Sequence, residues 1–228
     1  MTAQPRLTRL GELDAVEFPC ADPKALTVVC MHGYGADMRD LAPLAPEIPA
    51  GRPLRWIFPD GPEVLDWGGK AWFPIDVAAF EEAQRTGVPR DLSGGEPAGM
   101  AESRHHLQGM LEELAVPWDK LVLMGFSQGS MMAVDLALRS PKPPAGVVIL
   151  SGTQVDAKSF ASLATKKKGL RFFQSHGSVD PILAFQGGLA LEKGLKEAGW
   201  IGGLQRFEGG HGVPAEVVDS LGAWLKAL

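Results

Sequence analysis

Residues 121–139 read Leu-Val-Leu-Met-Gly-Phe-Ser-Gln-Gly-Ser-Met-Met-Ala-Val-Asp-Leu-Ala-Leu-Arg. The four leading apolar residues predict a buried strand, and the stretch after Gln128 predicts a helix that is apolar on most sides. Between them Gly125 and Gly129 stand two before and two after Ser127. A sharp strand-to-helix turn needs that spacing, because glycines let the backbone cross close to its neighbours while the serine sits strained at the tip. The hydroxyl is then exposed, and the helix N-terminus beneath it favours developing negative charge. In a chain with 28 glycines the spacing alone is a weak signal. Its position between a buried strand and a buried helix makes it specific. The competing reading is a glycine-rich turn carrying a surface serine.

At 228 residues, 45% of them hydrophobic, the chain is long enough to bury a substantial core, most simply as one α/β domain over 1–228. A net charge of -5 offers no electrostatic footprint for nucleic acid. The basic run Lys166-Lys167-Lys168 precedes an apolar strand, as a solvated loop does. Cys20 and Cys30 are too few for a disulfide framework, and Cys30 ends an apolar run as a buried free thiol would. No Cys or His cluster has ligand spacing, so no metal is expected; adjacent His105 and His106 cannot both face one ion from a helix. The N-terminus lacks a basic segment followed by an apolar core, and no apolar run is long enough to span a membrane. The expectation is a soluble, cytoplasmic protein without stable membrane anchoring.

Arg6–Phe18 alternates like an edge strand or hairpin. Leu26–Met31 predicts a buried strand running into His32-Gly33-Tyr34-Gly35-Ala36-Asp37, a loop at the carboxyl edge of the sheet, where open α/β folds bind ligands. A short helix is expected over Met38–Ala45 and a strand over Leu54–Phe58, stopped by Pro59-Asp60-Gly61-Pro62. Residues 63–99 read as an irregular region. Its first half carries Trp67, Trp72, Phe73, Pro74 and Ile75, which are either satellite core or the lining of a pocket mouth. Its second half, 85–97, is polar and rich in Gly and Pro, either a lid or a surface loop. Further helices are expected over Pro97–Leu114, Ile182–Ala198 and Pro214–Leu228, with strands over Gly146–Leu150, Leu170–Gln174 and Leu204–Phe207. Strands alternating with helices imply a mainly parallel central sheet with helices on both faces.

A serine hydroxyl is a poor nucleophile until a base takes its proton, and the base is normally a histidine oriented by a carboxylate. Folds with this turn supply the partners in the order serine, acid, histidine, from loops after later strands. His211, in Gly209-Gly210-His211-Gly212 between the last strand and the last helix, is the candidate base. His32 comes before the serine, His105 and His106 lie on a remote helix, and His176 precedes the favoured acid. That acid is Asp180, in the loop after the Leu170–Gln174 strand; Asp156, in the preceding loop, is its rival. Asp135 lies within the helix and can pair with Arg139 one turn later. Two backbone N–H donors are needed for a tetrahedral oxyanion. Gln128, just after the serine, and Tyr34, in the early loop, are placed to supply them.

His32-Gly33-Tyr34-Gly35-Ala36-Asp37, Gly125-Phe126-Ser127-Gln128-Gly129, Gly177-Ser178-Val179-Asp180-Pro181 and Gly210-His211 together resemble the phospholipase/carboxylesterase family of α/β-hydrolases, which includes bacterial carboxylesterases and acyl-protein thioesterases. The resemblance covers about Thr27 to Leu225. It implies an α/β-hydrolase fold without a large cap domain, a Ser127–Asp180–His211 triad, and an oxyanion hole from the N–H groups of Tyr34 and Gln128. It also implies hydrolysis of small-molecule acyl esters or thioesters without a cofactor, and places Trp72, with Phe73 and Ile182, at the substrate pocket. Ser130 stands where relatives often have a second glycine, and Tyr34 replaces a common aliphatic residue, a change that would narrow or polarise the acyl entrance. Segment 85–97 has no obvious counterpart. The expected activity is cleavage of esters with short-to-medium acyl chains through an acyl-enzyme on Ser127. The alternatives are a thioesterase or lysophospholipase for longer chains, and a non-catalytic binding protein on the same fold. A homodimer through an edge strand or loop is compatible with the sequence.

Overall fold

The central strands are apolar on both sides, so each face of their sheet needs a covering layer. In the computed structural model the described residues are 4–86, 92 and 94–228. Among them the strands are β1 (Arg6–Leu10), β2 (Leu13–Phe18), β3 (Leu26–Met31), β4 (Leu54–Pro59), β5 (Glu63–Val64), β6 (Lys70–Ala71), β7 (Leu121–Phe126), β8 (Gly146–Leu150), β9 (Arg171–Gly177) and β10 (Ile201–Phe207). The helices are α1 (Leu44–Glu47), α2 (Val77–Thr86), α3 (Met100–Leu114), α4 (Gln128–Arg139), α5 (Ala157–Ala164), α6 (Phe185–Glu197) and α7 (Ala215–Lys226).

Eight strands form one sheet in the order β1-β2-β4-β3-β7-β8-β9-β10, and β5 pairs with β6 separately. The β1–β2 and β2–β4 pairs are antiparallel. Every pair from β4 to β10 is parallel. Successive residues of a strand point to opposite faces, and the core divides accordingly. Val29, Leu123, Ile149 and Phe172 pack under α3, α4, α5 and α6. Val28, Val122, Val148 and Phe173 pack with residues of α1 and α7 on the other face. Chain order reverses at β3, which pairs with β4 on one side and β7 on the other. Beside such a reversal, the carboxyl ends of the strands open a crevice.

The structure departs from the expected elements in several places, among them an unexpected α5 and a β10 that begins at Ile201 rather than Leu204. Of the expected Met38–Ala45 helix only Leu44 and Ala45 are helical, in a single turn that runs on to Glu47. Upstream of it, Asp60 Oδ1 takes the Met38 N–H and Asp37 Oδ1 the Arg39 N–H; such side-chain acceptors favour turns over helix. Region 63–99 is not wholly irregular, since it contains the β5–β6 hairpin and α2. Asp76 Oδ1 accepts the Ala79 N–H at the start of α2, an N-terminal signal visible in Asp76-Val77-Ala78-Ala79. Strand β9 continues to Gly177 and so takes in His176. Helix α6 starts at Phe185 rather than Ile182, because the Asp180 carboxylate binds the N–H groups of Ile182 and Leu183 in a preceding turn. Of segment 85–97, residues 87–91 and 93 lie outside the described residues.

Cys20 and Cys30 are both free, and burial, then the charge of Asp40, pushes the Cys30 thiol well above its usual range. No helix among the described residues is long and apolar enough to cross a membrane.

Candidate active site

Ser127 sits at the tip between β7 and α4 with φ 53° and ψ -118°. A non-glycine residue with positive φ is strained and persists only where its surroundings over-determine it. The flanking glycines supply that constraint. A Cβ on Gly125 would stand 2.1 Å from the Gly129 carbonyl oxygen, and one on Gly129 would stand 2.1 Å from that of Met31. The turn is therefore pressed against α4 on one side and β3 on the other. The Ser127 N–H donates to Leu150 O at 2.8 Å, and Ser127 O accepts the Ser130 hydroxyl at 2.6 Å. Ser130 thus adds a bond within the first turn of α4, which a glycine could not make.

Asp180 and His211 come from the loops after β9 and β10 and meet at 2.7 Å, with Nδ1 of the imidazole donating to Oδ2. That tautomer leaves Nε2 with a free lone pair. Oδ1 of Asp180 accepts the N–H groups of Ile182 at 2.8 Å and Leu183 at 3.0 Å. Burial pushes the Asp180 carboxyl up, but the close His176 imidazole, the hydrogen bonds from His211 and Leu183, and the His211 charge outweigh it and hold the group well below the ordinary carboxylate range. The Phe126 ring packs 4.8 Å from the His211 ring, tying the histidine loop to the residue before Ser127. The rival acid is elsewhere. Asp156 caps α5 through the Ser159 N–H and lies 3.6 Å from Arg139. Asp135 is held by Arg139, as its spacing implies, and also by Arg104.

The early loop is organised by His32, whose buried ring works through both nitrogens. Nδ1 donates to Gly33 O at 2.7 Å, and Nε2 accepts the Gly61 N–H at 2.9 Å. Burial lowers the His32 pKa, against the raising effects of the Gly33 carbonyl and of Asp60, Asp37 and Asp40. The neutral ring is therefore favoured, with the proton on Nδ1. Gly33 packs against Phe126 and Ser127. The next N–H groups after Tyr34 are engaged, Gly35 N donating to Lys70 O and Ala36 N to Gly33 O. The Tyr34 N–H has no such partner among the described residues. The Gln128 N–H belongs to the first turn of α4, whose donors have no intrahelical acceptor.

A cleft of about 1070 Å³ opens over this region, and Tyr34, Phe73, Ser127, Gln128, Ile182 and His211 all line it. Trp72 does not. It is fully buried beneath the wall, where its indole N–H donates to His32 O and its ring lies 5.2 Å from the His32 ring. The reason is that every polar group of the residue has a partner inside. Its N–H goes to Gln128 Oε1 and its carbonyl accepts the Ser103 hydroxyl. Gln128 Nε2 also donates to Phe73 O at 2.6 Å, so this one side chain clasps the wall segment as a neighbouring strand would. Sequence alone singles out Gln128 only for its backbone, and it misses Ser103 because a serine within a helix carries no local sign of a distant acceptor. Tyr34 faces Trp67 edge-on at 6.3 Å, which puts an aromatic pair at the mouth.

The sequence model described as Phospholipase/Carboxylesterase matches residues 14–228. The chain is 27% identical over 223 residues to acyl-protein thioesterase 1 of Neurospora crassa, covering 91% of this chain and 88% of that one. It is 27% identical over 214 residues to a probable carboxylesterase of Oryza sativa subsp. japonica, covering 87% and 76%. Among solved structures, esterase PE8 matches with a TM-score of 0.78 at 26% identity, over 94% of this chain and 98% of that one.

Proposed function

The chain belongs to the phospholipase/carboxylesterase family, a serine-hydrolase family, and from that premise we propose that it cleaves carboxylic esters of short-to-medium acyl chains through an acyl-enzyme on Ser127. His211 takes the Ser127 proton as the oxygen attacks the acyl carbonyl, and Asp180 orients the imidazole and stabilises the imidazolium. The N–H groups of Tyr34 and Gln128 receive the oxyanion, each such donor being worth about 3 kcal/mol. His211 then gives the proton to the departing alcohol or thiol. Water repeats the sequence on the acyl-enzyme and releases the acid. The reaction so written needs no cofactor. The observation that carries this reading is the 2.7 Å His211–Asp180 hydrogen bond, made by residues whose loops meet beside the strained Ser127.

We extend the proposal to a single domain over 1–228 acting on a small-molecule substrate in the cytoplasm; two free cysteines suit a reducing compartment. The size of the cleft favours a second reading, in which longer acyl chains or thioesters are accepted. A series of p-nitrophenyl esters from short to long, run on wild type and Ser127→Ala, separates them. Each buried methylene contributes about 0.8 kcal/mol, so a fitted groove shows as kcat/KM climbing over several carbons. A peak at two to four carbons supports the first reading, and a climb to long chains supports the second. Full activity in Ser127→Ala would overturn both.

A further inference from the structure

His176 lies in the middle of the candidate site's supporting structure, yet the reaction as written does not use it. Its side chain is completely buried. Nε2 lies 2.7 Å from Leu183 O and 3.3 Å from Asp180 Oδ2. Both are acceptors, so Nε2 carries the proton. Nδ1 is buried with no hydrogen-bond partner and faces Gly188, where an added Cβ would stand 2.7 Å away. An unpartnered buried acceptor costs stability, and an apolar side chain could fill the same volume without it. Packing therefore does not account for an imidazole here, whereas the contact at Nε2 does.

We propose that His176 is a positioning residue for the hydrolytic triad: its Nε2–H donates to Leu183 O and its ring edge stands against Asp180 Oδ2, so that it fixes the turn that holds the carboxylate toward His211 and draws off part of the charge that His211 meets. Two imidazoles face one oxygen, since Oδ2 takes the His211 Nδ1–H at 2.7 Å while His176 Nε2 stands 3.3 Å from it. Oδ1 is occupied by the Ile182 and Leu183 N–H groups, the donors of the same turn that the Leu183 O bond ties to His176. A carboxylate that also faces the N–H edge of a second imidazole stabilises the His211 imidazolium less than one left wholly to His211.

The groups facing His176 from each packed element are few. Asp180 approaches from its own loop, with His211 beyond it. From α6 come Gly188 and the Phe185 ring, edge-on at 6.0 Å. Arg206, its register neighbour on β10, lies over that same ring and pairs with Glu208.

The test is the pH profile of kcat/KM on a p-nitrophenyl ester for wild type, His176→Leu, His176→Gln and His176→Asn, with active sites counted by fluorophosphonate titration. His176→Leu removes the donor; the expectation is an acid limb moved upward by about half to one pH unit. Its kcat per active site should fall about tenfold, the scale of one hydrogen bond, with KM unchanged. Gln can place an amide N–H where the imidazole has its Nε2–H and should restore the wild-type limb; Asn is too short and should behave like Leu. If His176→Leu does not fold, the Gln and Asn pair decides. A wild-type limb and kcat in the folded donor-free variants overturns the proposal. The proposal rests on the triad reading, and Asp180→Asn keeps the two apart. Wild-type kcat in that variant overturns the triad, whereas an enzyme that needs Asp180 and ignores His176 overturns only the role given to His176.

Discussion

At the scale of single residues, side chains with both ends engaged do most to shape the cleft. Gln128 reaches Trp72 N and Phe73 O at once, and His32 joins Gly33 O to Gly61 N. For His32 the burden is electrostatic as well as geometric. Burial holds its native pKa below the unfolded value, which is about 6.5. As pH falls below that value the unfolded chain takes up a proton that the native ring refuses, so stability is lost until the native ring itself titrates. Thermal unfolding followed by circular dichroism between pH 8 and pH 5 should show Tm falling on the acid side. In His32→Asn that slope should be shallower; an equal slope would mean another group is responsible.

At the scale of elements, the nucleophile turn is held by the close approach of three backbones. Strand β7, helix α4 and the end of β3 meet where only Gly125 and Gly129 leave room. A methyl group at Gly129 has no flexible side chain to push aside, because what it meets is the Met31 and His32 carbonyls. Gly129→Ala should cost about 3 kcal/mol or more, a Tm drop on the order of 10 °C for a domain of this size, measurable by calorimetry. Esterase activity should fall further than the folded fraction does, since the shift is transmitted to Ser127. The glycine spacing that marks this turn is legible because it is local. The start of α6 is not, since an apolar pattern cannot show that Asp180 will take the Ile182 and Leu183 N–H groups.

At the scale of the whole molecule, one charged network ties the far end of the 63–99 region to the core. Arg104 on α3 bonds Glu96 and Asp135, and Arg139 on α4 bonds Asp135 and Glu96 and approaches Asp156. Asp135 is buried and Arg104 nearly so. Removing one member of a buried ionic group leaves an uncompensated charge, at about 3 kcal/mol. Arg104→Met should show that loss in urea unfolding with the slope unchanged. It should also alter KM more than kcat, because Pro97 and Ala98, next to Glu96, line the cleft. A variant as stable as wild type would show that Arg139 alone satisfies Asp135.

Sequence by itself determined the layered architecture and the order of the chemistry. Alternation of buried strands with apolar-striped helices leaves a covered parallel sheet as the arrangement that buries both faces. Gly125-Phe126-Ser127-Gln128-Gly129 also carries its own backbone requirement. The turn that carries Ser127 was legible from its local glycines, and Asp180 and His211 became candidates through their order along the chain, with Asp156 left as a rival. Tertiary structure alone decided what depends on distant partners. It brought Asp180 to His211 and Asp156 to Arg139. It withdrew Trp72 from the cleft by offering partners to its N–H, carbonyl and indole. It also set His176 against Asp180. Hydrogen bonds between residues far apart in the chain leave no periodic trace in it, and they appear only once the sheet has brought the ends of its strands together.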